Sequence, residues 1–248
     1  MLQKIILAVT LCAITSTAAS AALLTGTVNT SLSSPQDISA AGTLDWAIWN
    51  NTNTATGTSF APTNVKLTSP GLISNITSAT ADAVRGVGSL TQTFSYTDGT
   101  SPNTLTNSTM GGIISNGIGV ANTGPKFTVT GNPGTEYIVS IWGSGGNGSA
   151  VGILTASLNG APDVVLSSQA YTARNGTLFT IHFKPDLVTD LLNIKYLVSP
   201  ATVGNNQFTA IQAVAVSAVP EPSSIALGVG GLAIVFGKRL WRNRRTAG

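Results

Sequence analysis

The stretch TLFTIHFK (Thr177–Lys184) sets Phe179, Ile181 and Phe183 at every second position, with Thr180, His182 and Lys184 between them. Successive side chains of an extended chain point to opposite faces, so this spacing makes one greasy and one polar face only in a strand. EYIVSIW (Glu136–Trp142) repeats the pattern with Tyr137, Val139 and Ile141. LLNIKYLV (Leu191–Val198) repeats it with Leu192, Ile194, Tyr196 and Val198. Further strand candidates are Leu44–Trp49, Leu90–Thr97, Lys126–Thr130, Val151–Leu158, Val164–Ser168 and Phe208–Ser217. Helical periodicity is almost absent between them.

Turn formers separate these runs: Asp98-Gly99, Asn132-Pro133-Gly134, Asn159-Gly160 and Asn175-Gly176. The two Asn-Gly pairs lie between apolar runs and predict type I′ hairpins, since both residues tolerate positive φ. Many short strands joined by tight turns predict an all-β, antiparallel β-sandwich of jelly-roll-like form, built from residues 22–218 as one domain. Trp46 and Trp49 stand three apart, so a strand points them to opposite faces, and one of them is expected in the core.

Composition fits a secreted or surface β protein. Hydrophobic residues make up 42% of the 248, ample for a core, while charged residues are only 8%. The net charge of +3 suggests a basic protein, but position removes that suggestion. Lys4 and the cluster Lys238, Arg239, Arg242, Arg244 and Arg245 hold half of the twelve basic residues. The body between Ala22 and Val219 has six basic residues against eight acidic ones, a net of −2. It lacks the basic stripe that nucleic acid requires, and nucleic acid is excluded as a partner. Cys12, the single cysteine, lies in the first apolar run and leaves the body without a disulfide.

Both ends read as addresses. MLQKIILAVTLCAITSTAASA (residues 1–21) has one lysine, an apolar stretch from Ile5 to Ile14 and the small-x-small sequence Ala19-Ser20-Ala21. That is the layout of a signal peptide cut by signal peptidase, leaving a mature chain that starts near Ala22. Residues 219–248 carry Val219-Pro220-Glu221-Pro222-Ser223, an uncharged run over Ser224–Gly237, and then the basic cluster. Pro220 and Pro222 fix their own φ and hold the residues before them extended, presenting a short peptide to a processing enzyme. A helix over residues 224–237 reaches roughly 21 Å. Lys238 and Arg239 snorkelling at its end extend it toward the width of a bilayer. The cations after it act as a membrane stop on the cytoplasmic side.

Pro220, Glu221 and Pro222, the short apolar segment and the arginine cluster together resemble the PEP-CTERM sorting signal of Gram-negative bacteria. The resemblance covers about 27 residues, roughly a tenth of the chain, though the apolar segment is richer in glycine than in leucine. It implies recognition by an exosortase during export and a protein held at the membrane, the cell surface or the extracellular polysaccharide matrix. GTLDWAIWN, FSYTDGTSP and KFTVTGNPGTEYIVSIWGSGGNGSAVGILTASLNG, in that order, resemble the ectodomains of other sorted bacterial surface proteins, which implies a jelly-roll module.

No catalytic constellation stands out. His182 is the single histidine, and no Gly-x-Ser-x-Gly elbow accompanies it. The carboxylates are scattered singly near turns and strand edges, where Asp serves the backbone. No metal set and no cofactor motif is present, so no cofactor is expected. The glycine cluster Gly143–Ser149 lacks the lysine and helix of a phosphate cradle. The leading expectation is a non-enzymatic exported protein. A surface carbohydrate-binding module is the alternative, with Tyr96, Asp98 and Trp142 as candidate glycan contacts at the rim of the sandwich. A polysaccharide hydrolase or lyase working through scattered carboxylates is the third.

Overall fold

The structure is a computed structural model that describes residues 22–220, apart from 53–54, 89, 147–148, 172–173, 203 and 205. The expected signal peptide, Glu221, Pro222, the apolar segment and the basic cluster lie outside the described residues. Among those described, no helix is long and apolar enough to cross a membrane.

The chain runs first through β1 (Leu23–Asn29), β2 (Gln36–Asp37), helix α1 (Ile38–Ala41), β3 (Asp45–Ile48), β4 (Thr56–Gly57), β5 (Ser59–Phe60), β6 (Asn64–Val65), β7 (Ile76–Ser78) and β8 (Val84–Val87). It continues through β9 (Thr93–Tyr96), β10 (Leu105–Thr109), β11 (Gly112–Ser115), β12 (Pro125–Val129), β13 (Tyr137–Gly145) and β14 (Gly152–Ser157). It ends in β15 (Val164–Ser167), β16 (Thr177–Lys184), β17 (Leu192–Val198) and β18 (Thr209–Ala218). The all-β, antiparallel reading holds: among the described residues only β2 and β9 pair in parallel.

Two sheets face each other. The larger follows the order β1-β16-β13-β18-β11-β8-β4, with β3 against the second half of β18 and β6 beyond it. The smaller has the order β15-β14-β17-β12-β7-β5. Val139, Ile141, Phe179, Ile181, Phe183 and Val214 of the first pack against Phe127, Leu154, Ile194 and Tyr196 of the second. The alternation of the sequence selects these residues, since one-sided burial pays only every second position.

A third layer was not foreseen. β10, β9 and β2 form a small sheet that, with α1, covers part of the outer face of the large sheet. Asp37 caps α1 by accepting the Ala40 N–H at 3.0 Å. Ile38, Phe94, Tyr96 and Met110 come down on Trp46, Ile48, Trp142, Ala213 and Ala215. The small alanines of β18 leave room for the two indoles. Trp46 and Trp49 do point to opposite faces, but both are buried, one in each core. The expectation that only one would be buried fails because the sheet is covered on both sides there.

The Asn-Gly turns differ from expectation. β14 and β15 do form a hairpin, but its connection spans 158–163 and only Gly160 has positive φ, so it is wider than a type I′ turn. Asn175-Gly176 closes no hairpin. β15 and β16 belong to different sheets, and the chain crosses between layers there, with Arg174 taking the positive φ.

Candidate functional site

Of the three residues expected at a glycan rim, two are interior. The Trp142 ring is 2% exposed, meets Phe94 edge-on at 6.0 Å and donates its indole N–H to Gln36 Oε1 at 3.2 Å. The Tyr96 ring lies 4.8 Å from that of Trp46, and its hydroxyl accepts from Asn64 Nδ2 at 2.8 Å. Burial pushes the Tyr96 phenol up, against the pull of the Asn64 hydrogen bond. The third layer buries both rings, and of the two only Tyr96 reaches a hollow, a small one of about 150 Å³ shared with Asn64, Ser101 and Leu105.

Asp98 sits beside them as a structural hub. Lys66 pairs with its Oδ2, Ser39 Oγ donates to its Oδ1, and Trp46 Nε1 donates to the same oxygen at 2.8 Å. Partial burial opposes its ionisation, but these hydrogen bonds outweigh it and hold the carboxyl below its ordinary pKa. Asp98 thus ties α1 (through Ser39), β3 (through Trp46) and the residue after β6 (Lys66) to the turn after β9. Pro220, the first residue of the expected sorting motif, follows the last backbone hydrogen bond of the body, from Val219 N–H to Glu136 O at 2.9 Å.

Several other carboxylates serve the backbone. Asp45 accepts from Ser69 Oγ at 2.6 Å and from the Leu72 N–H at 2.8 Å. Asp190 accepts the N–H groups of Leu187 and Asp186, and the Leu187 bond leads in lowering its pKa. His182 Nδ1 lies 3.2 Å from Glu136 Oε1 on the outer face of the large sheet. Among the described residues, no three His, Cys, Asp or Glu side chains gather as a metal site would require.

Two hollows of more than 500 Å³ lie elsewhere, and each of these collects a pair of cations. A hollow of about 540 Å³ on the outer face of the smaller sheet is lined by Lys126, Lys195, Asn193, Asn75, Thr77 and Ser74, among others. Lys126 and Lys195 stand directly opposite each other across β12 and β17. Like charges in that register repel, and Asp82, which shares an adjoining hollow with Lys126, makes no ion pair with either.

A second hollow, of about 520 Å³, lies on the outer face of the large sheet, beside the third layer. Arg85 and Arg174 line it with Phe208, Ile114, Thr52 and Asn206. Arg174 sits at φ 55 and Asn206 at φ 66, in the left-handed region that non-glycine residues rarely adopt. The Arg174 carbonyl is pinned by the Thr91 N–H at 3.2 Å, Thr91 Oγ1 at 3.0 Å and Ser144 Oγ at 2.9 Å. Its guanidinium donates to Gly88 O at 3.0 Å and lies 5.9 Å from the centre of the Phe208 ring.

Sequence motifs gave no hint of these two cation pairs. The signal that was available is the spacing of the acids: residues 46–81, 83–97, 99–135, 164–185 and 191–220 contain no Asp or Glu. Those segments supply the walls of both hollows.

No protein-family model matches the chain, and no curated protein matches it. Among solved structures, it is similar in part to TmCBM61 in complex with beta-1,4-galactotriose, at 11% identity and a TM-score of 0.36, over 59% of this chain and 88% of that one. It is also similar in part to the enzymatically active domain of bacteriophage CBA120 tailspike protein 4, at 14% identity and a TM-score of 0.34, over 60% of this chain and 20% of that one. Neither likeness bears on the chemistry of this chain.

Proposed function

We propose that the chain is an exported, non-enzymatic protein of the Gram-negative envelope or extracellular polysaccharide matrix, sorted through its C-terminal segment by an exosortase. Signal peptidase removes residues 1–21, the segment 224–237 holds the chain in the membrane during processing, and Pro220, Glu221 and Pro222 are the recognition peptide. The jelly-roll-like body is the cargo.

The observation that carries this reading is the geometry of the two ends. β1 begins one residue after Ala22, and β18 ends two residues before Pro220. Leu24, Phe183, Tyr137 and Ala218 form one row across β1, β16, β13 and β18. The two ends of the body therefore lie on the same side of it, which suits a tether there that keeps the rest of the sandwich clear of the membrane. Deleting residues 219–248 should shift the protein from the cell surface to another fraction. A truncated chain that fractionates like the full-length one sinks the sorting claim, and turnover of matrix polysaccharide by the purified protein sinks the non-enzymatic one.

Within this reading the body holds extracellular polysaccharide. The hollow on the smaller sheet favours it, because Asn, Ser and Thr side chains beside two lysines match the hydroxyl-rich, partly charged surface of such a polymer.

A further inference from the structure

We infer that the hollow formed by Arg85, Arg174 and Phe208 is an oxyanion site that takes the carboxylate or sulfate groups of an acidic polysaccharide. This rests on the reading that the body holds polysaccharide, and it names the chemistry and the place.

Four observations converge. First, two guanidinium groups line one hollow, while the body as a whole is slightly acidic and has only six cations to distribute. Placing two of them together without a carboxylate is electrostatically unfavourable unless an anion joins them. Asp82, whose carboxylate lies against Gly117 beside the wall residue Ile118, forms no ion pair with either arginine among the described residues.

Second, the Nε–H groups of both arginines are buried and lack an acceptor. Among the described residues, the Arg85 side chain forms no hydrogen bond or ion pair. A buried donor left unpaired costs about 1–3 kcal/mol. Those two Nε–H groups are sealed from solvent, so a ligand would meet the remaining N–H groups of the forks, for which carboxylate or sulfate oxygens are the best-matched acceptors.

Third, the site is held in advance of binding. Three hydrogen bonds fix the carbonyl of Arg174 in its left-handed conformation, while Gly88 and the Phe208 ring hold its guanidinium. Strained backbone that its surroundings over-determine is characteristic of ligand clamps. Ile114, Ile118 and Val87 add apolar surface that strengthens charge interactions beside it.

Fourth, the place suits a tethered protein. Phe208 and Asn206 precede β18, whereas the chain leaves toward Pro220 at its other end. Nine residue steps of about 3.3 Å put the hollow roughly 30 Å from the tether. A long polymer can reach it there without meeting the membrane.

The test is a titration of the full-length chain in detergent micelles with polygalacturonate, dextran sulfate, neutral dextran and free glucuronate, at low and high salt. Wild type should bind one or both acidic polymers, more weakly at high salt, and Arg85→Gln should lower that affinity at least tenfold. Thr52→Glu, at an exposed lining residue that no hydrogen bond joins to either arginine, places a carboxylate at the rim and should do the same. Thermal melting of both variants checks that the fold survives. Unchanged binding by both folded variants overturns the site. Binding of dextran equal to that of the acidic polymers also overturns it, while leaving polysaccharide as the ligand. Binding of free glucuronate, lost in Arg85→Gln, with no polymer bound upholds an anion site and overturns the polysaccharide reading on which it rests. A preference for polygalacturonate or for dextran sulfate assigns carboxylate or sulfate.

Discussion

Leu24, in the first strand of the body, and Ala218, at the end of the last, lie in a single cross-strand row with only Phe183 and Tyr137 between them. Three strand spacings of about 4.8 Å separate them, roughly 14 Å. The long ladders of β1 with β16 and β13 with β18 hold this proximity in place.

That proximity predicts that the body tolerates circular permutation. A linker of about six residues spans the gap, and the exposed Asn159-Gly160 connection offers new termini. A chain so permuted should show the same β circular dichroism and a cooperative melt. Failure to fold with linkers of any length would contradict the row.

Trp142 should matter for stability and not for ligand binding. Replacing it by alanine opens a cavity under Phe94, at a cost of about 3–5 kcal/mol. Denaturant unfolding measures that loss. Trp142→Phe should fold and bind every glycan that wild type binds; selective loss of binding in the folded variant would return the ring to a surface.

Asp98 should give the fold an acid dependence. Its pKa is lowered in the folded state, so its contribution is complete above the unfolded carboxylate value of about 4 and drains away as pH falls through the folded value below that. Asp98→Ala leaves Lys66, Ser39 and Trp46 without their acceptor, costing about 2–4 kcal/mol near neutrality. Comparing melting temperatures against pH checks both points, and the variant should lose part of the acid slope.

Tyr171 and Tyr196, paired through their hydroxyls and fully buried, should set an alkaline limit. Burial raises both phenols, Tyr196 further because it faces a second phenol. Their contribution is complete below the unfolded value of about 10 and is lost as pH rises beyond it. Tyrosinate absorbance from these two should appear only with unfolding, so ionisation within an intact fold would refute the pairing. Tyr196→Phe should cost about 1 kcal/mol at neutral pH.

The sequence by itself determined the strands that carry the central core. Phe179, Ile181 and Phe183, and Leu192, Ile194 and Tyr196, face inward because a period of two permits only one buried face per strand. The patterns at both ends, from which an export and a sorting signal are proposed, are local and need no fold to be read. Only the tertiary structure decided what covers the other face of the large sheet. Gln36–Asp37, Ile38–Ala41 and Leu105–Thr109 are too short or too polar to announce a layer, yet they bury Trp142 and Tyr96. It alone also brought Arg85 and Arg174 together from 89 positions apart in the chain. Their meeting depends on a crossing between sheets at Asn175-Gly176, and no local spacing encodes which strands will be neighbours.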